Sequence, residues 1–141
     1  MYWKYFCYVV EHKYNVGIEC FKMGMYLHAL THDLSKFLPS EFFGYARHFQ
    51  GPGDKDGMSL AWCYHQHRNK HHWDYWVKSD GETVPMPIKY LKQLIADWRG
   101  MGRKFNDTAE EYYVKNKERI ILHEQSRYEL EVRLDGLTEG G

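Results

Sequence analysis

Histidine and aspartate recur along this chain in an order that suits one shared metal site. His12 comes first, the adjacent pair His32-Asp33 follows, and Asp97 stands much later. Imidazole and carboxylate groups are the side chains that bind zinc, iron, manganese or cobalt. Nine histidines in 141 residues is also a high content. We therefore predict that His12, His32, Asp33 and Asp97 bind a divalent transition metal.

Four more histidines crowd a third segment, which we interpret as one helix over residues 58–78. On a helical wheel the aromatic face of this helix carries His65 and His72, whereas His67 and His71 lie on the polar face. Because the aromatic face is the buried one, we predict His65 and His72 as metal ligands. His67 and His71 are expected to face outward.

The spacing of these two histidines bears on the number of ions. On a straight helix His65 and His72 lie about 10.5 Å apart, so both reach one ion only by leaning together. A carboxylate can bridge two ions, which an imidazole cannot. We favour two ions and leave a single ion open. The assignment fails if the helix breaks near Asn69.

Lys36 follows Asp33 by three residues, and on a helix this spacing places its ammonium group at the rim of the metal site. A cation there would bind a phosphate or another anionic group of a substrate. We therefore predict Lys36 and Asp33 as the catalytic side chains. His71, Asn69 and Arg68 are expected just behind the ligands or in contact with the substrate.

Composition limits the classes of protein to consider. A length of 141 residues fits one domain, and 43% hydrophobic residues argue against disorder. Lysine plus arginine and aspartate plus glutamate number 19 each, so no extended nucleic-acid surface is expected. The expected partner is instead a small anionic substrate, with a phosphate group as the first choice.

Cysteine usage and hydropathy favour a cytoplasmic protein without a membrane span. Three cysteines without a Cys-x-x-Cys spacing are typical of reduced packing thiols. No apolar run reaches the roughly 20 residues that a membrane helix needs, and the N-terminus lacks the features of a signal peptide. Aromatic residues near the N-terminus (Tyr2, Trp3 and Tyr5) suggest a homodimer.

Helical periodicity runs through most of the chain, and no segment shows sustained strand alternation. We predict an all-α, single compact domain of about six to seven helices over residues 1–135, with a flexible tail at 136–141. The predicted helices cover 2–23, 26–37, 38–49, 58–78, a stretch from Pro87 to near Gly100 and Gly102, 106–121 and 123–135.

The motif THDLSKF resembles the HD superfamily of metal-dependent enzymes. Members of that superfamily carry a histidine, then a His-Asp doublet, then a distant aspartate, all on helices. These positions match His12, His32-Asp33 and Asp97. The resemblance implies an HD-like helical domain with a His/Asp metal site.

The form His-Asp-x-x-Lys is similar to HD-GYP phosphodiesterases and to di-iron oxygenases akin to myo-inositol oxygenase. In those groups two further histidines lie between the doublet and the last aspartate, and the lysine contacts the substrate anion. The resemblance implies these roles for His65, His72 and Lys36. The segments HDLSKFLPSEF, HRNKHHWDYW and ADW also resemble a family of small phage and bacterial proteins, which implies a bacterial or phage-infected host cell.

Three functions are compatible with these residues. The preferred hypothesis is a metal-dependent phosphohydrolase acting on a nucleotide or another small phosphate ester, with one or two ions activating water. The second is a di-iron oxygenase that uses the same site. The third is a phage-encoded binding module that sequesters a nucleotide or a host protein. A helical bundle without any metal is the remaining alternative.

Overall fold

Helices form most of the chain in the computed structural model, which describes residues 1–134. The prediction of an all-α fold is confirmed for this part of the chain, where one isolated bridge, between Val77 and Thr83, is the only β pairing. The predicted tail at 136–141 lies outside the described residues. The α-helices are α1 (Tyr2–Lys22), α2 (Tyr26–Thr31), α3 (Pro39–Phe49), α4 (Lys55–Arg68), α5 (Ile88–Phe105), α6 (Ala109–Asn116) and α7 (Glu124–Arg133).

Two short 3-10 helices replace parts of longer predicted helices. The predicted helix 26–37 ends at Thr31 and resumes as a 3-10 helix over Leu34–Phe37. The predicted helix 58–78 is also wrong, because α4 ends at Arg68 and a separate 3-10 helix covers Trp73–Trp76. Asn69 ends α4: its backbone is extended, and its side-chain amide donates to the His65 carbonyl oxygen at 2.8 Å.

Helix α5 crosses α1 at very short range. A methyl group placed on Gly100 would come within 2.8 Å of the Val16 backbone nitrogen and 2.7 Å of its Cα. The prediction that α5 stops near Gly100 and Gly102 is therefore wrong, since Gly100 serves close packing. The helix continues to Phe105 and ends at Asn106, which adopts a left-handed conformation with φ 55°.

The two larger of three apolar clusters include residues of the helices that carry predicted ligands. One cluster joins α5, α6 and α7 and includes Leu91, Leu94, Ile95, Tyr113 and Leu130. The other joins α1, α3 and α4 and includes Tyr5, Val9, Tyr45, Ala46 and Ala61. Helix α1 places His12 just after Val9, and α5 places Asp97 just after Ile95, so both polar side chains lie next to packed core.

Several surface features differ from expectation. Tyr5 is buried, so of the three N-terminal aromatic residues only Tyr2 and Trp3 are exposed. Cys20 is buried, whereas Cys7 and Cys63 are exposed and do not serve as packing residues. Within the described residues, no helix combines the length and the hydropathy that crossing a membrane requires.

The crossing of α1 and α5 gives a stability prediction. Gly100→Ala should lower the free energy of unfolding by about 1–3 kcal/mol, because the added methyl group meets the α1 backbone. Gly17→Ala, in α1, is the matched control: nothing lies within 4 Å of the added methyl group. That variant should gain about 0.5–1 kcal/mol from higher helix propensity. Urea denaturation followed by circular dichroism measures both, and a Gly100→Ala variant as stable as the wild type contradicts the prediction.

Candidate metal centre

A sharp turn after α2 directs two adjacent ligands into the interior. His32 has an extended backbone, and Asp33 has φ 54°, which is uncommon for a residue other than glycine. The Lys13 ammonium group donates to the carbonyl oxygens of Leu30 and His32 and thereby stabilises the end of α2. Because of this turn, His32 and Asp33 are both 1% exposed.

The first group of donor atoms combines α1, the turn and α5. The His12 Nε2 atom lies 3.1 Å from His32 Nε2 and 3.2 Å from Asp33 Oδ2, and His32 Nε2 lies 3.4 Å from Asp33 Oδ2. Asp97 Oδ1 is 3.3 Å from His12 Nε2 and 3.4 Å from His32 Nε2. We refer to His12, His32, Asp33 and Asp97 as the first group.

The second group is formed by the other Asp33 oxygen and three histidines. Asp33 Oδ1 lies 3.5 Å from His65 Nε2 and 3.4 Å from His71 Nε2. His72 Nε2 lies 2.9 Å from His65 Nε2. We refer to Asp33, His65, His71 and His72 as the second group. Asp33 is therefore common to both groups, with one oxygen facing each.

The distances within both groups fit the edges of a coordination shell. With metal–ligand bonds of about 2.1 Å, adjacent ligands lie roughly 3.0 Å apart around an octahedral ion and roughly 3.4 Å apart around a tetrahedral ion. Asp33 Oδ1 and His71 Nε2 are also buried without a hydrogen-bond partner, which is costly for polar atoms. A cation bound in the second group would satisfy both atoms.

The protonation states of the acidic ligands suit metal binding at neutral pH. Burial alone would raise the pKa of Asp33, but the charges of His32, Lys36 and His65 hold that pKa well below its usual range. Burial is likewise outweighed at Asp97, whose pKa is lowered by hydrogen bonds from His12 and His32. Both carboxylates are therefore ionised and available as ligands.

Two of the three second-group histidines, His71 and His72, are neutral because they are buried. Burial, assisted by the charge of His72, lowers the pKa of His71 well below its ordinary value. Burial and the charge of His65 lower the pKa of His72 to about 4. His12 differs, because its hydrogen bonds to Asp33 and Asp97 outweigh burial and raise its pKa. Metal binding to the first group would therefore displace a proton from His12.

A buried carboxylate fixes the orientation of His65. Glu41, on α3, is 0% exposed and its Oε2 atom accepts a hydrogen bond from His65 Nδ1 at 2.8 Å. Arg68 and Ser35 also donate to Glu41. Because the proton of His65 lies on Nδ1, its Nε2 lone pair faces the second group, as a metal ligand requires.

His28 fixes the orientation of His32 in the way that Glu41 fixes that of His65, but His28 is neutral. Its Nε2 atom lies 3.3 Å from His32 Nδ1. Burial and the charge of His32 lower the pKa of His28 to about 4, so at neutral pH its Nε2 can accept the His32 Nδ1 proton. The His32 Nε2 lone pair then faces the first group.

Lys36 connects the metal centre to an open cavity. Its Nζ atom lies 2.6 Å from Asp33 Oδ2, and its side chain is 17% exposed. A cavity of about 770 Å³ is lined by Lys36 together with His12, His72 and Asp97. A small ligand can therefore reach both the ammonium group and the donor atoms.

The structure brings together all six residues predicted as metal ligands. The helix breaks at Asn69, so the helical-wheel argument for His65 and His72 is wrong, although both side chains lie in the second group. The prediction that His71 faces outward is wrong: it is 2% exposed, because the chain leaves the helix at Asn69 and turns inward. Asn69 lies behind His65 as expected, with its side-chain nitrogen 3.1 Å from His65 Nδ1. Arg68 is bound to Glu41 and is not among the residues that line the cavity.

Sequence reasoning missed the roles of Glu41 and His28. Glu41 precedes Tyr45 by one helical turn on the buried face of α3. A helical wheel of α3 would have placed this carboxylate in the interior, where a charged group needs a partner.

The comparisons with known proteins identify a family without an assigned activity. The chain belongs to a family of unknown function, DUF5662, whose model matches residues 1–135. No significant match was found among the curated proteins or among the solved structures. The functional argument therefore depends on the geometry and chemistry of the two groups of donor atoms.

The contact between Glu41 and His65 predicts unequal metal affinities in a variant. Wild-type protein should bind two Mn²⁺ ions per chain in calorimetric titrations. Glu41→Gln should weaken one of them by about 10–100-fold, because the amide is a weaker acceptor for the His65 proton. The ion in the first group should be retained.

Arg68→Met is the matched control, since it removes another partner of Glu41 and leaves the contact to His65 in place. It should retain both ions at close to wild-type affinity. Equal weakening of both ions in Glu41→Gln, or no weakening, contradicts the role assigned to Glu41. Thermal unfolding of the metal-free variants controls for loss of fold.

Proposed function

We propose that this protein is a metal-dependent phosphohydrolase of the HD type, acting on a nucleotide or another small phosphate ester. The observation that carries the proposal is the sharing of Asp33 between two groups of donor atoms. Its Oδ2 atom lies within 3.5 Å of nitrogens of His12 and His32, and its Oδ1 atom lies within 3.5 Å of nitrogens of His65 and His71. This arrangement suits a dinuclear site of iron, manganese, zinc or cobalt.

The order of the ligands supports the relationship to the HD superfamily. A histidine on α1, the doublet after α2 and an aspartate on α5 converge as the superfamily pattern requires. The lysine three residues after the doublet is also in place, beside Asp33. When bound, divalent ions would supply Lewis-acid activation of water and of a phosphoryl oxygen.

Lys36 is the side chain that we assign to the substrate anion. Burial would lower its pKa, but the charges of Asp33 and Asp97 raise it, so the ammonium group stays protonated at neutral pH. A phosphate entering the cavity would meet this cation next to the donor groups. Lys36 would then orient the phosphate and stabilise the negative charge that develops on its oxygens.

Asp33 and the neutral histidines have complementary roles. The Asp33 carboxylate is ionised and would hold both ions at a fixed separation, while His65 and His32 are oriented by Glu41 and His28. Rigid orientation of the donors removes a reorganisation cost during the reaction. The catalytic assignment therefore consists of Asp33 as the shared ligand and Lys36 as the anion-binding group.

A di-iron oxygenase is the second candidate. The observation that favours it is the second group, which holds three imidazoles and a single carboxylate oxygen, a donor set that suits iron. The oxygenase would consume oxygen and would need iron. Turnover with manganese in the absence of oxygen excludes it. The third candidate, a module that only binds its ligand, is excluded by multiple turnover.

The proposal is tested with purified protein loaded with manganese, iron, cobalt or magnesium. Phosphate release is measured against a panel of nucleotides, phosphodiesters and simple phosphate monoesters. The wild type should release phosphate from at least one class, over many turnovers and without oxygen. No release with any of the metals rejects the phosphohydrolase.

Lys36→Met tests the assignment of the anion-binding group. It should lower kcat/KM by about 100-fold, because a charge-stabilising group next to the reacting phosphate is lost. Metal content should stay at the wild-type value, since Lys36 is not one of the donors. Lys4→Met, at an exposed lysine outside the cavity, is the control and should retain full activity. Equal activity of Lys36→Met and wild type contradicts the assignment.

A further inference from the structure

The cavity beside the metal centre has mainly apolar walls. Beyond Lys36 and the donor atoms it is lined by six aromatic side chains and several aliphatic ones. The aromatic residues are Tyr8, Trp62, Trp73, Trp98, Phe105 and Tyr112. Its volume, about 770 Å³, is in the range of sites that enclose a whole small molecule. The part of a ligand that extends away from Lys36 would therefore contact mostly rings.

The charges on the wall are unevenly distributed. Lys36 is at the end next to the donor atoms, and the other lining cation, Arg119, is exposed and already bonded to Asn116. The cavity is also lined by Asp74 and by Asp107, whose carboxylate is already paired with Lys115. A second anionic group on the ligand would be repelled by Asp74, whereas the attraction of Arg119 is screened by solvent.

The aromatic rings of the wall favour flat, apolar groups, which they contact by stacking and by edge-to-face packing.

We propose that the cavity selects phosphate monoesters of a single bulky, ring-bearing and largely apolar group. It discriminates against ligands that carry a second anionic group. This inference rests on the proposed phosphohydrolase activity and narrows its substrate class. Lys36 and the metal centre take the phosphate, and the aromatic walls take the organic group.

The test uses phosphonates, which are not hydrolysed, so binding is measured separately from turnover. Manganese-loaded full-length protein is titrated calorimetrically with methylphosphonate, phenylphosphonate and 3-phosphonopropionate. Phenylphosphonate should bind at least about tenfold more tightly than methylphosphonate, because the ring is removed from water. 3-Phosphonopropionate, which carries a second anion, should bind no more tightly than methylphosphonate.

Two variants identify the wall as the source of this preference. Phe105→Ala is the cleaner one, since this side chain is 60% exposed and its loss leaves the core intact. Trp62→Ala removes a ring next to His72, at a centroid distance of 5.2 Å, and its metal content is therefore checked. Each should reduce the ratio of phenyl- to methylphosphonate affinity at least about threefold. Trp3→Ala, at a 73% exposed residue outside the cavity, should not.

The outcomes separate this inference from the proposed reaction. Any of three results overturns the inference. The first is a ratio of phenylphosphonate to methylphosphonate affinity near one, the second is the absence of any phosphonate binding, and the third is an affinity ratio that neither variant reduces. If the expected preference is measured but no phosphate ester is hydrolysed, the reaction is wrong and the selective cavity stands. If phosphate esters are hydrolysed but phenylphosphonate is not preferred, the proposed reaction stands and the selective cavity is wrong.

Discussion

Both oxygens of the Asp33 carboxylate point at imidazole nitrogens in the protein interior, and the rest of the structure is arranged around this one side chain. A buried carboxylate is stable only when positive charge or hydrogen-bond donors surround it. Here Lys36 contacts Oδ2, and histidines from α1, the turn, α4 and the segment after α4 approach the two oxygens. Each of these elements has to end, turn or cross where it does for its side chain to reach Asp33.

The side chains behind the donors leave imidazole nitrogens facing one another at close range, as between His65 and His72. Nitrogen lone pairs that face each other repel unless a proton or a cation lies between them. Glu41 and His28 hold the outer nitrogens of His65 and His32, so the inner lone pairs stay free. The charge on Glu41 is in turn matched by Arg68. The metal centre is thus assembled from paired charges that extend outward to the protein surface.

The sequence was sufficient to predict the all-α class and to name six side chains that converge in the structure, because residue type and order carry both. The sequence was insufficient where the same residue type can serve two structural purposes. Glycine ends helices and also allows close crossings, so Gly100 was mistaken for a stop. A helical wheel assumes an unbroken helix, and the side-chain amide of Asn69 breaks it by bonding the His65 carbonyl. His71 was therefore placed on the wrong face, and no local pattern revealed the pairing of Glu41 with His65.

The end of α4 at Arg68 also explains how the crowded histidines of this segment can converge. On a continuous helix His71 would point away from the face shared by His65 and His72, and the three residues would span about 10 Å along the axis. Leaving the helix at Asn69 lets adjacent residues His71 and His72 fold back toward His65. The 3-10 helix that follows then carries Trp73 and Asp74 along the wall of the cavity. One short irregular segment therefore completes the second group of donor atoms and also forms part of the cavity wall.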